Sequence, residues 1–258
     1  MFIDTHCHLD AAEFGNTQDS LIAEAFAAGV STIVVPSVEA GNFSAVLNLC
    51  TRFPQCAPAF GIHPIYVEQA TPADLDRLKE IIKSNQVVAI GEIGLDFFVE
   101  NFNQEKQEFY FSAQLKLAQE FNLPVLLHVR KAVDTILKHL RKTPVCGGIA
   151  HAFNGSPQQA AEFIKLGFKL GFGGAMTYPR ATRLRELAGT LPLESIVLET
   201  DAPDMPPEFL QRGLPNCPSY LPRIAQTLAE IRQLSLQEIA SITTSNALLV
   251  LPSIRAYM

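Results

Sequence analysis

The sequence predicts a closed barrel of the (β/α)8 TIM type, and three observations carry that reading. Short, β-branched and almost wholly apolar runs alternate with amphipathic segments along the chain, the pattern of parallel strands buried on both faces. His6 and His8, His63, Glu92, His128, His151 and Asp201 fall at or near the C-terminal ends of different predicted strands. In an open, doubly wound sheet such ends spread along a line, whereas in a closed barrel they ring one mouth. No low-complexity segment or linker divides the chain, so residues 1–258 are expected to form one barrel domain, with room for a distorted eighth unit.

The elements follow in order. Phe2 to Asp10 opens as a strand in which His6 and His8, two apart, would face the same side and Cys7 the other. A helix from about Thr17 ends at Gly29, a plausible C-terminal cap. Ser31–Ser37 is a β-branched strand, followed by a helix from about Glu39 to Arg52. A third strand, from Cys56, ends in Gly61-Ile62-His63-Pro64, and Thr71-Pro72 caps a helix reaching about Ser84. Gln86–Asp96 is the fourth strand, and a long helix runs from about Asn103 to Phe121. Leu123–Arg130 is the fifth strand, followed by a helix over Ala132–Arg141. The sixth strand ends on His151, and Ser156-Pro157-Gln158-Gln159 opens a helix closed by Gly167. Phe168–Gly174 is a short seventh strand, followed by a loop, and Leu193–Pro203 holds the eighth, ending on Asp201. Two helices, about Ser219–Arg232 and Leu236–Ala247, finish the chain.

Composition narrows the function classes. A hydrophobic share of 48% with 18% charged residues is globular rather than disordered or fibrous. Five scattered cysteines with no CxxC pair fit a reducing compartment better than a disulfide framework. The N-terminus carries no basic-then-apolar leader and no run approaches the length of a membrane span, so a cytoplasmic protein without a membrane partner is expected. The net charge of −6 argues against coating nucleic acid electrostatically. It leaves open an enzyme that grips one phosphodiester through cations, which reverse the local field. No obligate protein partner is evident, and a monomer is expected.

The strand-end residues carry the chemistry. A histidine pair alone is a weak sign of a metal, because such pairs are common on surfaces. Glu92, at the end of the apolar run Val87–Gly94, is sharper: a buried carboxylate is costly unless it meets a cation, whether a metal or an arginine such as Arg130. His128 and His151 end buried strands in the same way, and each alone would more often be a satisfied core histidine. Together, His6, His8, Glu92, His128, His151 and Asp201 supply four imidazoles and two carboxylates, the donor count for two divalent ions with open positions. His63 would hydrogen-bond a substrate oxygen or cap its loop, and Asp96 would orient a ligand or cap a turn. Cys7 is expected to pack, and His139 to lie on the surface. Phe97, Phe98, Phe153 and Tyr178 lie near the mouth, where they could stack a base or simply pack.

The motifs FIDTHCHLD, GIHP, GEIGLDFF, LPVLLHVR, HAFNGS and LETDAPDMP, in this order, resemble the TatD family of metal-dependent hydrolases within the amidohydrolase-like barrels. The resemblance covers essentially the whole chain. It implies a divalent-metal phosphodiesterase, most simply a deoxyribonuclease of the 3′-to-5′ exonuclease kind, acting on DNA or another phosphodiester. It implies two divalent ions (Mg, Mn or Zn), His6 and His8 being ligands of one and His128 and His151 of the other. Glu92 would bridge them and Asp201 would touch a metal and take the proton of the attacking water. On that reading His63 would hold a phosphate oxygen, and Arg180, in the loop after the seventh strand, would contact phosphate. Many members carry a Gly-Lys-Arg-Asn run after the eighth strand. Here DMPPEFLQRGLPNCP lacks the lysine, with Asn216 and Pro218 in the Asn-x-Pro positions and Arg212 supplying charge. That departure leaves room for an amide or ester hydrolase, such as a lactonase, a dihydroorotase-like enzyme or a D-aminoacyl-tRNA deacylase. A carboxylated lysine often bridges the metals in such enzymes, and Glu92 in its place lowers that alternative. A non-catalytic metal-binding scaffold would lack a ligand or a general base, and neither is missing.

Overall fold

The apolar runs form eight parallel strands in the computed structural model, which describes residues 1–258. They are β1 (Phe2–Asp4), β2 (Val30–Pro36), β3 (Cys56–Phe60), β4 (Ala89–Asp96), β5 (Val125–Arg130), β6 (Gly148–Ala150), β7 (Phe168–Phe172) and β8 (Ile196–Leu198). Each pairs with the next in sequence. No ladder joins β8 to β1, but Thr5 donates to the Leu198 carbonyl from both its backbone N–H (3.1 Å) and its hydroxyl (3.0 Å), which nearly closes the barrel. The helices are α1 (Gln18–Ala27), α2 (Phe43–Arg52), α3 (Pro72–Ser84), α4 (Gln104–Phe121), α5 (Val133–Lys142), α6 (Pro157–Lys165), α7 (Thr182–Thr190), α8 (Leu221–Arg232) and α9 (Leu236–Val250).

Two apolar cores result. The larger lies between strands and helices and includes Phe60, Ile90, Phe111, Leu115, Phe163 and Leu228. The smaller fills the barrel interior: Ile3, Val34, Ala57, Ala59, Leu126, Ile149 and Val197, closed from below by Ala247, Val250, Leu251 and Ile254. The chain end therefore plugs the N-terminal mouth of the barrel, where the Tyr257 hydroxyl donates to the Gln86 carbonyl at 2.7 Å. With that end sealed by hydrocarbon, the polar strand ends are left to the opposite mouth.

Four details differ from expectation. β1 stops at Asp4, and residues 5–8 continue outside the ladder, held by Cys7 N–H to Val34 O and His8 N–H to Ala202 O. α2 starts four residues later than Glu39, because the Asn42 carboxamide oxygen accepts from the N–H groups of Val38 and Glu39 and holds them in a turn. α7 follows the expected loop, in a stretch where no element is named from the sequence; it buries little more than Leu187 and Ala188, too small a face to show as a stripe. His139 is not a surface residue: its ring is 14% exposed and spans Ser112 (3.0 Å) and Glu108 (2.9 Å), linking α5 to α4.

Candidate metal centre

The pleat delivers most of the site. Residues two apart on a strand share a face, so the inward residues Leu126 and Ile149 place His128 and His151 toward the same interior one step higher. Val197 does the same for Glu199 and Asp201, and Ala59 for Gly61 and His63. On β4 the register shifts between Ile90 and Ile93, and Glu92 sits inside that irregularity, 2% exposed. Gly91 is needed there, because a Cβ would lie 2.6 Å from the Leu126 Cβ.

Glu92 is the hub. Its Oε2 lies 3.1 Å from His6 Nε2 and 3.5 Å from His8 Nε2. Its Oε1 lies 3.0 Å from His128 Nδ1 and 3.6 Å from His63 Nε2. Asp201 approaches His6 and His8 through Oδ1 (3.8 and 3.7 Å) and His151 Nε2 through Oδ2 (3.5 Å). The His6 and His151 rings stack with centroids 3.8 Å apart. Three triplets, His6–His8–Asp201, His6–Glu92–His151 and His63–Glu92–His128, each have their ligand atoms within 4.8 Å of one another. His128 and His151 thus meet Glu92 in different triplets, and His63 joins the one that holds His128.

Charge and hydrogen bonding sort these groups. Burial alone would raise the Glu92 carboxyl, but His6, His63 and His128 together hold it well below the usual carboxylate range. Asp201 is held down in the same way, His151 and His6 outweighing burial. Burial lowers His6, with His151 adding to it, and drives His63 down to about 3. His63 Nδ1 accepts from the Ile65 N–H at 3.2 Å, so the neutral ring carries its proton on Nε2 and points a donor at the cluster. His8 is the reverse case: Glu92 and Asp201 overcome burial and raise it to about 9.

Three carboxylates brace the ring from behind, and sequence reasoning had singled out only Asp96. That residue is 1% exposed, takes His128 Nε2 at 3.0 Å through Oδ2, and accepts from the Phe98 N–H through Oδ1, so His128 offers Nδ1 to the centre. Arg130 lies 3.8 Å from Asp96 and pairs with it rather than with Glu92. Glu199, 1% exposed, has Oε1 3.1 Å from His151 Nδ1 and accepts from the Ala152 N–H at 2.6 Å. The His151 contact is at hydrogen-bond length but off axis, and Glu199 Oε2 has no partner. Asp4 accepts from the Thr200 N–H (2.9 Å), the Thr200 hydroxyl (2.6 Å) and the His6 N–H (3.3 Å), while burial pushes its carboxyl up to about 7. Pleat parity with Val197 and Asp201 was the available signal for Glu199, and a lone aspartate in the apolar opening of β1 the signal for Asp4.

Asp201 sits in the left-handed region at φ 57°, a conformation costing a non-glycine residue about 1–3 kcal/mol. Its N–H donates to the His6 carbonyl at 2.8 Å, which holds that backbone in place. Asn216 does not face the mouth. It is wholly buried, its amide donates to the carbonyls of Thr200 (2.8 Å), Asp204 (3.1 Å) and Met205 (3.3 Å), and its oxygen accepts from the Cys217 N–H. It is a brace for the loop after β8 rather than a substrate contact. Arg180 is exposed after β7, its guanidinium 5.5 Å from the Tyr178 ring centroid. Phe97 stacks on Phe102 and Phe153 packs on Phe163, whereas Phe98 stays half exposed. Cys7 is buried in the outer core, as expected.

The donor set fits divalent cations. His6 and His8 aim Nε2 atoms at each other across 3.2 Å, with Asp201 Oδ1 and Glu92 Oε2 beside them, and His6 Nδ1 and Glu199 Oε2 are buried without partners. Converging imidazoles and carboxylates of this kind are what a divalent ion holds together. Comparison with known proteins agrees. The sequence model of the TatD-related DNase family matches residues 3–252. The chain is 42% identical to the uncharacterized metal-dependent hydrolase YjjV of Escherichia coli K12 over 248 residues, 95% of each chain. It is 34% identical to the 3′-5′ ssDNA/RNA exonuclease TatD of Salmonella typhimurium, over 95% of this chain and 96% of that one. The crystal structure of the E. coli YjjV protein superimposes with a TM-score of 0.94 at 40% identity, covering 97% of this chain and 98% of that one.

Proposed function

Because the chain belongs to the TatD-related DNase family and is a metal-dependent hydrolase, we propose that it hydrolyses the phosphodiester bonds of single-stranded DNA, stepwise from the 3′ end as the Salmonella relative's name describes. One observation carries the reading: the two oxygens of Glu92 face two different sets of imidazoles, His6 and His8 on one side, His128 and His63 on the other. A carboxylate so placed suits a bridge between two ions.

His6, His8, Glu92 and Asp201 would hold one divalent ion and Glu92 and His128 the second, with His151, whose Nε2 faces Asp201 on the His6 side, as the remaining ligand of the cluster. Ions bound there supply a water of lowered pKa and polarise a phosphoryl oxygen. The chain's own groups do the rest. Asp201, ionised and on the edge of the cluster, takes the proton of the attacking water. His63 donates from Nε2–H to a non-bridging oxygen as negative charge develops. Asp96 fixes the His128 ring through a hydrogen bond, and the Glu199 carboxylate lies against the His151 ring.

The test is a metal-reconstituted assay of wild type and Asp201→Asn on a 3′-labelled single-stranded oligodeoxynucleotide, beside a panel of small esters and amides. Stepwise shortening that vanishes in the variant, with at least one metal retained, is the expected result. Turnover of small esters with the oligonucleotide untouched would move the enzyme to the amide or ester hydrolase alternative.

A further inference from the structure

Charge is unevenly shared along the chain. Residues 1–70, which run from β1 through β3 and stop short of α3, contain seven acids and one cation, Arg52, which pairs with Asp19. Residues 123–190, spanning β5 to α7, contain ten cations and three acids. The acids of the first part reach the rim. Beyond burial, Glu39, Glu13 and Asp10 raise the Tyr66 phenol, and Asp201 and Glu13 raise the Asp204 carboxyl. Arg77, which extends to that side from α3, is occupied by Asp74 and the Ala40 carbonyl.

Three of the cations in residues 123–190 lie against aromatic rings near the mouth, Arg130 and Lys131 on Phe98 and Arg180 on Tyr178. Phe98, just past β4, is 50% exposed. The Arg130 guanidinium lies 3.9 Å from its ring centroid and the Lys131 ammonium 4.7 Å. The group sits beside the ligand cluster: Phe98 N–H and the Arg130 guanidinium both approach Asp96, which holds His128. A guanidinium laid on an aromatic face presents a flat outer surface on which a nucleobase stacks, and a neighbouring ammonium suits a phosphate.

We infer that Phe98, Arg130 and Lys131 form a binding subsite for the single strand flanking the phosphodiester at the ligand cluster, a base resting on the Phe98–Arg130 stack and a phosphate meeting Lys131. The inference rests on the phosphodiesterase reading above.

The test measures fluorescence anisotropy of a short 5′-fluorescein-labelled, phosphorothioate-linked oligothymidylate, which resists hydrolysis, with the full-length metal-reconstituted protein, for wild type, Phe98→Ala and Lys131→Gln. Both side chains are solvent-facing, and matching melting curves would establish that the variants fold. Phe98→Ala is expected to weaken binding about 5- to 150-fold, the loss of one stacked base. Lys131→Gln is expected to make the slope of log K against log salt shallower by about 0.7, the loss of one phosphate contact on a single strand. Wild-type affinity and slope in both variants would overturn the subsite while the phosphodiesterase reading stands. A wild type that neither binds this oligonucleotide nor shortens the 3′-labelled one in the metal-reconstituted assay would overturn both.

Discussion

Gly171→Ala tests whether Glu199 positions His151. Gly171 lies on β7 against the Glu199 carboxylate, and a Cβ there would stand 2.1 Å from Oε2, 2.5 Å from Cδ and 2.6 Å from Oε1. All are closer than carbon and oxygen can approach, so the carboxylate must move. Oε1 is tied to the Ala152 N–H and faces His151 Nδ1, and the residue is 1% exposed, so movement breaks those contacts rather than swinging into solvent. Displacing the carboxylate that stands behind a ligand histidine typically weakens metal binding about 10- to 100-fold, or about 1.4–2.7 kcal/mol. Overpacking adds about 1–3 kcal/mol of destabilisation, and each kcal/mol shifts the melting midpoint by roughly 2–4 °C in a chain of this size. Competition against a calibrated chelator reads the first effect, and calorimetry of the metal-free protein reads the second. Glu199→Gln, which keeps the volume but not the charge, should lower metal affinity with little change in metal-free stability. Wild-type metal affinity in both variants would refute the positioning role.

Metal should stabilise the fold. At a free concentration a hundredfold above Kd the gain is about 2.7 kcal/mol, a rise of roughly 5–11 °C in the midpoint, and Glu92→Ala should abolish both the rise and turnover; an unchanged rise would remove Glu92 from the ligand set. Asn216→Ala should leave the buried Thr200 carbonyl and the part-buried carbonyls of Asp204 and Met205 without their donor and cost about 1–3 kcal/mol in chemical denaturation. A variant of wild-type stability with only a raised KM would return Asn216 to the substrate-contact role expected from its sequence position.

How much of this was legible in the chain depends on the range of the cause. His128 and His151 follow inward apolar residues at a spacing of two, so local pattern alone aims them correctly. His6 and His8 were expected to converge through strand alternation, yet the strand stops at Asp4 and their convergence depends on bonds to Val34, Ala202 and Asp201, remote in sequence. Asn216 was misread for the same reason: three carbonyls up to sixteen residues away satisfy its amide, and no local pattern announces them. Glu199 was legible and missed, since pleat parity places it inward between Val197 and Asp201.

The seam between β8 and β1 explains why those remote bonds are concentrated at the site. It is the one place where no ladder joins neighbouring strands, and it is closed instead by Thr5 on the Leu198 carbonyl and Asp4 on Thr200. The seam then continues upward as Asp201 N–H to His6 O and His8 N–H to Ala202 O. The bonds that close the barrel and those that set His6, His8 and Asp201 are therefore one series. A ladder running the full length would have kept residues 5–8 in strand geometry and left Asp201 no need of its left-handed backbone. The short strands on either side of the seam free the chain to bring two imidazoles and a carboxylate together, and the buried Asp4 carboxylate keeps that freedom from becoming disorder.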